Sequence, residues 1–418
     1  MRLPFEGVRI LDFTQLEQGP SGTLMLADFG AEVIKIERIR SGELGRDQTP
    51  RYNGMSCHWA ANNRNKLSLS VDLKHPQGTE IIDRLIAEAD VIASNFRPEV
   101  MDRLGFGYER ASAINPRIIC AYASGYGLDG PYRGRRGQDL AAQAMGGVMD
   151  LTGGAENPPT SVGTFAIDYL AAMHFAIGIM AALAGRDATG RGQVVDACLL
   201  NSAITLHHQE GTAFLNTEQR YPRPPYGIAH AHNTPLYARY RCADDRWIVL
   251  IAEFYIDRSW GRIADAVGLP SDVATDERFA TIEGIAANEA EVSAILSSTF
   301  ARFDRDDLLA RLEAQDVLAA PVYDYPEVFA DPQVLHNRMV LETFRSDTGL
   351  IRMVGMPVKL SDVPQEVRLP PPTVGEHNRS ILRQAGYCDE QISDLQKEGV
   401  IGAESEQSQI DGRPEWGG

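Results

Sequence analysis

Positive charge is in short supply along this 418-residue chain: 40 Lys and Arg stand against 57 Asp and Glu, a formal net charge of −17. Binders of nucleic acid or of anionic membrane surfaces need a basic footprint, so neither partner is expected. A small anion held by a few local arginines stays open. Cysteine is also sparse. Cys57, Cys120, Cys198, Cys242 and Cys388 are scattered without C-x-x-C spacing, which speaks against a disulfide frame or a zinc ribbon and for reduced thiols in a cytoplasmic protein. The opening MRLPFEGVRILDF lacks the apolar core of a signal peptide. No run is read as reaching the about 20 apolar residues that span a bilayer. Neither G-x-x-x-x-G-K-[ST] nor G-x-S-x-G occurs, which removes P-loop chemistry and the hydrolase nucleophile elbow. His207-His208 and His230-Ala231-His232 match no zinc or iron spacing, so no metal is expected; His230 and His232 read as loop residues, either simply polar or lining a pocket.

What is present is ordinary globular composition, 44 % hydrophobic and 23 % charged, in a chain long enough for two or three domains. The first part alternates strand and helix. Strands are expected at Val8–Phe13, Val33–Glu37, Leu67–Leu73, Asp90–Ser94 and Arg117–Ala123, and helices at Thr23–Phe29, Pro76–Ala89 and Glu109–Ile114. Gly19-Pro20-Ser21-Gly22 reads as a turn. Such βαβ units build an α/β, Rossmann-like, doubly wound parallel sheet. Gly190–Leu200 reads as a strand running into a helix. The proline-rich Tyr221–Tyr226 marks a boundary. Beyond it, Leu236–Tyr240 and Trp247–Ala252 form an antiparallel hairpin, and helices over Arg258–Val267, Glu289–Phe303 and Arg305–Ala314 complete a smaller α+β domain. Val374–Leu395 holds a helix pair, and the polar end ESEQSQIDGRPEWGG reads as disordered.

Two constellations carry chemistry. In Ser161–Ala182 a single acid, Asp168, opens an apolar helix rich in small residues. An Asp there is either an N-cap or a functional carboxylate. Free N–H groups at the helix start are expected to keep it ionised near neutral pH and to bind negative charge developing beside it, while Ala171 and Ala172 leave room for a ligand. The second constellation is Arg38, Asn95-Phe96-Arg97 and Arg103, which fall at or just past the C-terminal ends of strands, where open α/β sheets bind ligands. Several guanidiniums gathered in an acidic protein describe a phosphate site. The first βαβ unit ends in Glu37 but lacks G-x-G-x-x-G, which disfavours a nicotinamide or flavin.

A set of stretches then resembles one family. GVRILDFTQLEQGP, LADFGAEVIKIER, NRNKLSLSVDLKHPQG, ADVIASNFRPEVMDRLGFGYE, NPRIICAYASGYGLDGPY, QAMGG, TGRGQVVDACLLNS, DVLAAPVYDYPEVFADPQ and GEHNRSILRQAGY together are similar to the family III CoA transferases, which include formyl-CoA, carnitine and bile-acid CoA transferases and, as an offshoot, α-methylacyl-CoA racemase. The resemblance implies an interlocked homodimer. Its large Rossmann-like CoA-binding domain would take residues 1–222 and 331–401, a small α+β domain 223–330, and a flexible tail 402–418. It implies Asp168 as catalytic nucleophile, with Arg38, Val71, Asp72, Leu73, Lys74, Asn95, Phe96, Arg97, Arg103, Arg136, Gly137, Gln138 and Asp139 on coenzyme A, and Glu17 and Gln18 near the thioester. It implies no permanently bound cofactor: an acyl-CoA thioester is substrate, and CoA passes to a carboxylic acid through mixed anhydrides and an aspartyl-CoA thioester, with backbone N–H groups at the helix start holding the oxyanion. Glu17 stands where formyl-CoA transferases carry Gln, which counts against an oxalate-type acceptor. Gln138 stands where the racemases carry a catalytic His. Since Gln takes no proton, transfer is favoured over the alternative, an acyl-CoA racemase or isomerase.

Overall fold

The computed structural model describes residues 2–253 and 256–403; the tail expected to be disordered lies almost wholly outside them. The chain divides into two compact units, one of residues 1–146, 163–206 and 332–418, the other of 147–162 and 207–331.

The first unit is built on six parallel strands: β1 (Arg9–Asp12), β2 (Glu32–Glu37), β3 (Lys66–Ser70), β4 (Val91–Ser94), β5 (Ile119–Ser124) and β6 (Val194–Cys198). They lie in the order β3-β2-β1-β4-β5-β6, the doubly wound arrangement with its reversal between β1 and β4. The inner strands are mostly apolar, with Lys35 inside β2 an exception, because both faces are covered. Leu11, Ile34, Leu69, Ile92 and Cys120 point to one face, under Ile81, Ile82 and Leu85 of the helix Pro76–Glu88 and Ile381 and Leu382 of the helix Asn378–Gln384. Their neighbours Ile10, Val33, Val91, Ile119 and Ala121 point to the other, under Phe175 and Ile179 of the helix Ala166–Thr189.

That helix is long and apolar enough to cross a membrane by length and composition, contrary to the expectation that no run qualifies. Its Ala171, Ala172, Phe175 and Ile179 are instead fully buried in the unit. The small residues serve close packing rather than ligand access: a Cβ on Gly22 of the helix Gln18–Asp28 would lie 2.9 Å from both the Ala172 carbonyl oxygen and Phe175. Gln18–Asp28 also begins earlier than expected, because Gly19-Pro20-Ser21-Gly22 forms its first turns and is not a loop.

Residues 332–403 complete the first unit. Asn378 accepts from the Ser70 N–H through its side-chain oxygen and donates to the Gly402 carbonyl, so the chain's return closes the β3 edge. A hairpin of Val340–Arg345 and Gly349–Val354 lies in this return. It was not anticipated, although its alternating apolar residues flank an Asp347-Thr348 turn.

The second unit holds the expected hairpin, Tyr237–Arg241 paired with Trp247–Ile251, with Ala319–Pro321 added at its edge. Leu236, Tyr240, Ile248, Leu250, Ile263, Leu296, Phe300 and Leu308 form its core. Its boundary differs from the one placed at residue 222: 147–162 and 207–222 belong here. The reason is local bonding. The Ala155 N–H donates to the Pro224 carbonyl, and His230 Nε2 meets Glu210 Oε1 at 2.6 Å. His230 also stacks on His232, with ring centres 4.9 Å apart. Among the described residues no cluster of His, Cys, Asp or Glu fits a metal ion.

Candidate active site

The C-terminal ends of the parallel strands converge on one edge of the first unit. β1 runs out into Thr14–Gln18, β2 into Arg38, β3 into Val71–Lys74 and β4 into Asn95–Arg97. The loops after β1 and β4 meet at the sheet's reversal. The Gln15 N–H donates to Asn95 Oδ1 at 2.8 Å, and Asn95 Nδ2 donates back to the Gln15 carbonyl at 2.7 Å. Asn95 is thus a clasp across the switch point.

Beneath the first loop lies a buried charge cluster. Lys35 and Lys66 are both fully buried and both reach Asp12, at 3.4 and 3.2 Å. Lys66 Nζ also donates to the Pro20 carbonyl, Thr23 Oγ1 and Asn63 Oδ1, and Lys35 Nζ to the Thr14 carbonyl. Two cations and two hydroxyl donors, from Thr14 and Thr23, hold the Asp12 carboxyl well below the usual carboxylate range despite its burial. Burial pulls the Lys66 ammonium down to about 8. The cluster fixes the backbone from Thr14 to Thr23, and so fixes Glu17 and Gln18.

Arg38, Arg97 and Arg103 are exposed, and among the described residues none has a carboxylate partner. Arg46, Arg64 and Arg186, by contrast, are each paired with an acid. Asp72 and Lys74 are exposed as well, Val71 is buried, and Leu73 and Phe96 pack on the sheet's core. Arg136 and Gln138 are exposed on the segment leading into the helix Asp139–Met145, whose first turn Gln138 caps without a side-chain bond. Gly137 lies so close to Gly125 that a Cβ on either would fall within 2.6 Å of the other's Cα.

Asp168 is the third residue of its helix, behind the N-cap residue Phe165, so it is not a cap. The N–H groups expected to serve it are already taken. Asp139, buried on the helix Asp139–Met145, accepts from the Ile167 N–H at 2.8 Å and from the Asp168 N–H at 3.1 Å. Those two donors are therefore not free for an oxyanion. Far from being held ionised, the half-buried Asp168 carboxyl is pushed up to about 7, by burial first, then by Asp139 and Glu17, with His58 opposing. Asp139 itself is a buried helix-start anchor, with Gln143 Nε2 donating to its second oxygen.

Glu17 is gripped from the helix Cys57–Asn63. His58 Nε2 lies 2.8 Å and Asn62 Nδ2 2.9 Å from Glu17 Oε2, and these partners hold its carboxyl below the ordinary range although burial raises it. Gln18 is buried and its Nε2 has no partner. His58 carries no motif in the sequence and was not anticipated. It reaches Glu17 only because the helix Cys57–Asn63 packs beside the helix Gln18–Asp28. Two cavities of the first unit, about 300 and 400 Å³, are lined by Arg46, Trp59 and Thr373 and by Cys57, Ala60 and Ile351; neither of these two is lined by Asp168.

An acid raised to about 7 and three exposed arginines without carboxylate partners among the described residues thus lie in the same unit, the arginines at its C-terminal strand ends. The profile of CoA-transferase family III matches residues 5–378. The chain belongs to CoA-transferase family III. It is 32 % identical over 403 residues to the succinyl-CoA–L-malate CoA-transferase beta subunit of Chloroflexus aurantiacus, covering 96 % of this chain and 98 % of that one. It is 34 % identical over 401 residues to the succinyl-CoA:glutarate CoA-transferase of Mus musculus, covering 95 % and 90 %. A crystal structure of a CaiB/BaiF family protein from Brucella suis superposes with a TM-score of 0.83 at 31 % identity, covering 92 % of this chain and all of that one. As a family III enzyme, the protein moves CoA between carboxylic acids. The doubly wound sheet and separate smaller unit are the fold of that family.

Proposed function

We propose that this family III enzyme transfers CoA from succinyl-CoA to a second carboxylic acid through a covalent intermediate on Asp168. The observation that carries the reading is the state of that carboxyl: half-buried, flanked by Asp139 and Glu17, and without a side-chain hydrogen bond among the described residues. An acid raised to about 7 is more nucleophilic than an ordinary carboxylate, yet a large fraction is ionised at neutral pH. An Asp168 oxygen attacks the acyl carbon; the C–S bond breaks and CoA leaves as thiolate, giving a mixed anhydride. The thiolate attacks the aspartyl carbonyl and expels the donor acid as carboxylate, leaving aspartyl-CoA. The acceptor carboxylate attacks that thioester, and the thiolate then attacks the acceptor side of the second anhydride, restoring Asp168. Each step exchanges activated carboxyl groups, so no ATP enters, and water must be kept out.

Arg38, Arg97 and Arg103 supply charge for the nucleotide phosphates, with the backbone of 71–74 beside them and Arg136 on the segment before Asp139. Glu17 and Gln18 stand at the thioester end. Succinyl-CoA as donor is supported by the names of the relatives. In this reading the working form is the interlocked homodimer, supported by apolar side chains left exposed around the Asp168 helix, among them Leu140, Phe165, Ile177 and Leu206.

The test is a screen of succinyl-CoA against malate, glutarate and other acids, reading new thioesters by mass, with hydroxylamine present to trap the activated aspartyl group. We expect a hydroxamate on the Asp168 peptide, and a loss of turnover of about 10³-fold or more in Asp168→Ala. Full turnover in Asp168→Ala, or no adduct at residue 168 during turnover, rejects the mechanism.

A further inference from the structure

Among the described residues His58 is the basic side chain that opposes the acids around Asp168, and its bonding is incomplete in an informative way. Its Nε2 is given to Glu17 at 2.8 Å. Its Nδ1 is buried and has no partner. Glu43, just before the short helical turn Leu44–Asp47, is buried too; its Oε2 accepts from the Leu16 N–H at 3.0 Å, while its Oε1 is unpartnered. The two orphan atoms face one small space. A Cβ on Gly45 would lie 2.3 Å from Glu43 Oε1 and 3.1 Å from His58 Nδ1. A carboxylate oxygen can only accept. A neutral imidazole that donates from Nε2 leaves Nδ1 as a second acceptor facing it. The imidazolium presents a donor to each acid.

We propose that His58, set between Glu17 and Glu43, is a positioning residue that works as a standing cation, fixing the Glu17 carboxylate and keeping Asp168 chargeable among acids that would otherwise hold it protonated. The titratable groups facing the ring are Glu17 at the start of Gln18–Asp28, Glu43 on the preceding loop and Asp168 on the long helix; all three raise the affinity of His58 for its proton, Glu17 most, against burial. Asp168 is reached by Asp139 and Glu17 on one side of the balance and His58 on the other. Removing the cation shifts that balance one way: Asp168 becomes harder to ionise, and attack fails at pH values where it now proceeds.

The inference rests on Asp168 as nucleophile, and the test separates the two. Exchange between succinyl-CoA and 13C-labelled succinate needs no second acid and is read by mass from about pH 5 to 9. In His58→Gln, which keeps an N–H donor for Glu17 but no charge, the acid limb of kcat/KM moves up by about one pH unit and the alkaline plateau stays within about threefold. Glu43→Gln, which weakens the field holding the ring protonated, moves the limb the same way by less. If wild type exchanges label and forms the Asp168 adduct but the limb stays fixed in both variants, or the rate falls equally at every pH, His58 is structural only. If wild type forms no adduct, the Asp168 mechanism itself fails, and this role with it.

Discussion

Asp12 and Asp168 are both withdrawn from water in the same unit, yet their neighbours drive them in opposite directions. Asp12 meets Lys35, Lys66 and two threonine hydroxyls and stays ionised far into acid. Asp168 is raised first by burial, and Asp139 and Glu17 add their repulsion with only His58 opposing, so it holds its proton up to about pH 7. Removal from water alone does not make a carboxyl reactive. The sign of the charges around it decides whether it fastens a loop or waits for a substrate.

The sharpest way to break this contrast is Asp12→Ala. It strands two buried ammonium groups, and the expected loss is about 3–5 kcal/mol of stability by urea denaturation. Because the folded-state affinity of Asp12 for a proton is depressed, its contribution is present above the unfolded pKa near 4 and is lost as pH falls below it; the variant lacks that acid-side slope. A variant as stable as wild type at pH 7 removes Asp12 from its structural role. Asp168→Asn is expected to do the opposite. Its folded pKa is raised, so the wild-type contribution is complete below about pH 4 and disappears as pH rises to about 7. The neutral amide should therefore gain about 2 kcal/mol over wild type at pH 8 and little at pH 4, read from thermal melts at both values. Equal gains at both values contradict the linkage. The smallest effect tests the neighbour directly. Asp139→Asn retains an acceptor for the Ile167 and Asp168 N–H groups but removes a charge, and should move the acid limb of activity down by about one pH unit. No movement, with the fold intact, removes Asp139 from the causes and leaves burial and Glu17.

Much of this arrangement could be read from residue order. The inner parallel strands are mostly apolar and the edge strand β3 alternates, so β1 to β5 were locatable within a few residues, and parallel strands bring Arg38, Val71–Lys74 and Asn95–Arg97 to one edge without any knowledge of side chains. Asp168 stood out as the single acid of the apolar stretch Ser161–Ala182. The resemblance then tied these positions to coenzyme A. The charge logic of the site was out of reach because it is non-local. Asp139 lies 29 residues before Asp168 and takes its N–H groups, which inverts the expected effect of the helix start. His58 and Glu43 meet Glu17 only through packing. Gly19-Pro20-Ser21-Gly22 misled for a different reason: turn-forming residues are tolerated in a helix's first turns, where N–H groups lack partners in any case. The hairpin at 340–354 did carry a period-two signal and a turn, and was readable.

The clasp of Asn378 on Ser70 and Gly402 has a consequence for synthesis. The β3 flank of the large sheet is finished by residues that leave the ribosome after the whole span 207–331 has emerged. The later-starting unit has its full set of partners first, and the earlier one waits with an open border of backbone groups until the final helices arrive. Nascent chains halted before residue 378 therefore display an unsealed strand, and that interval is when a chaperone has most to protect.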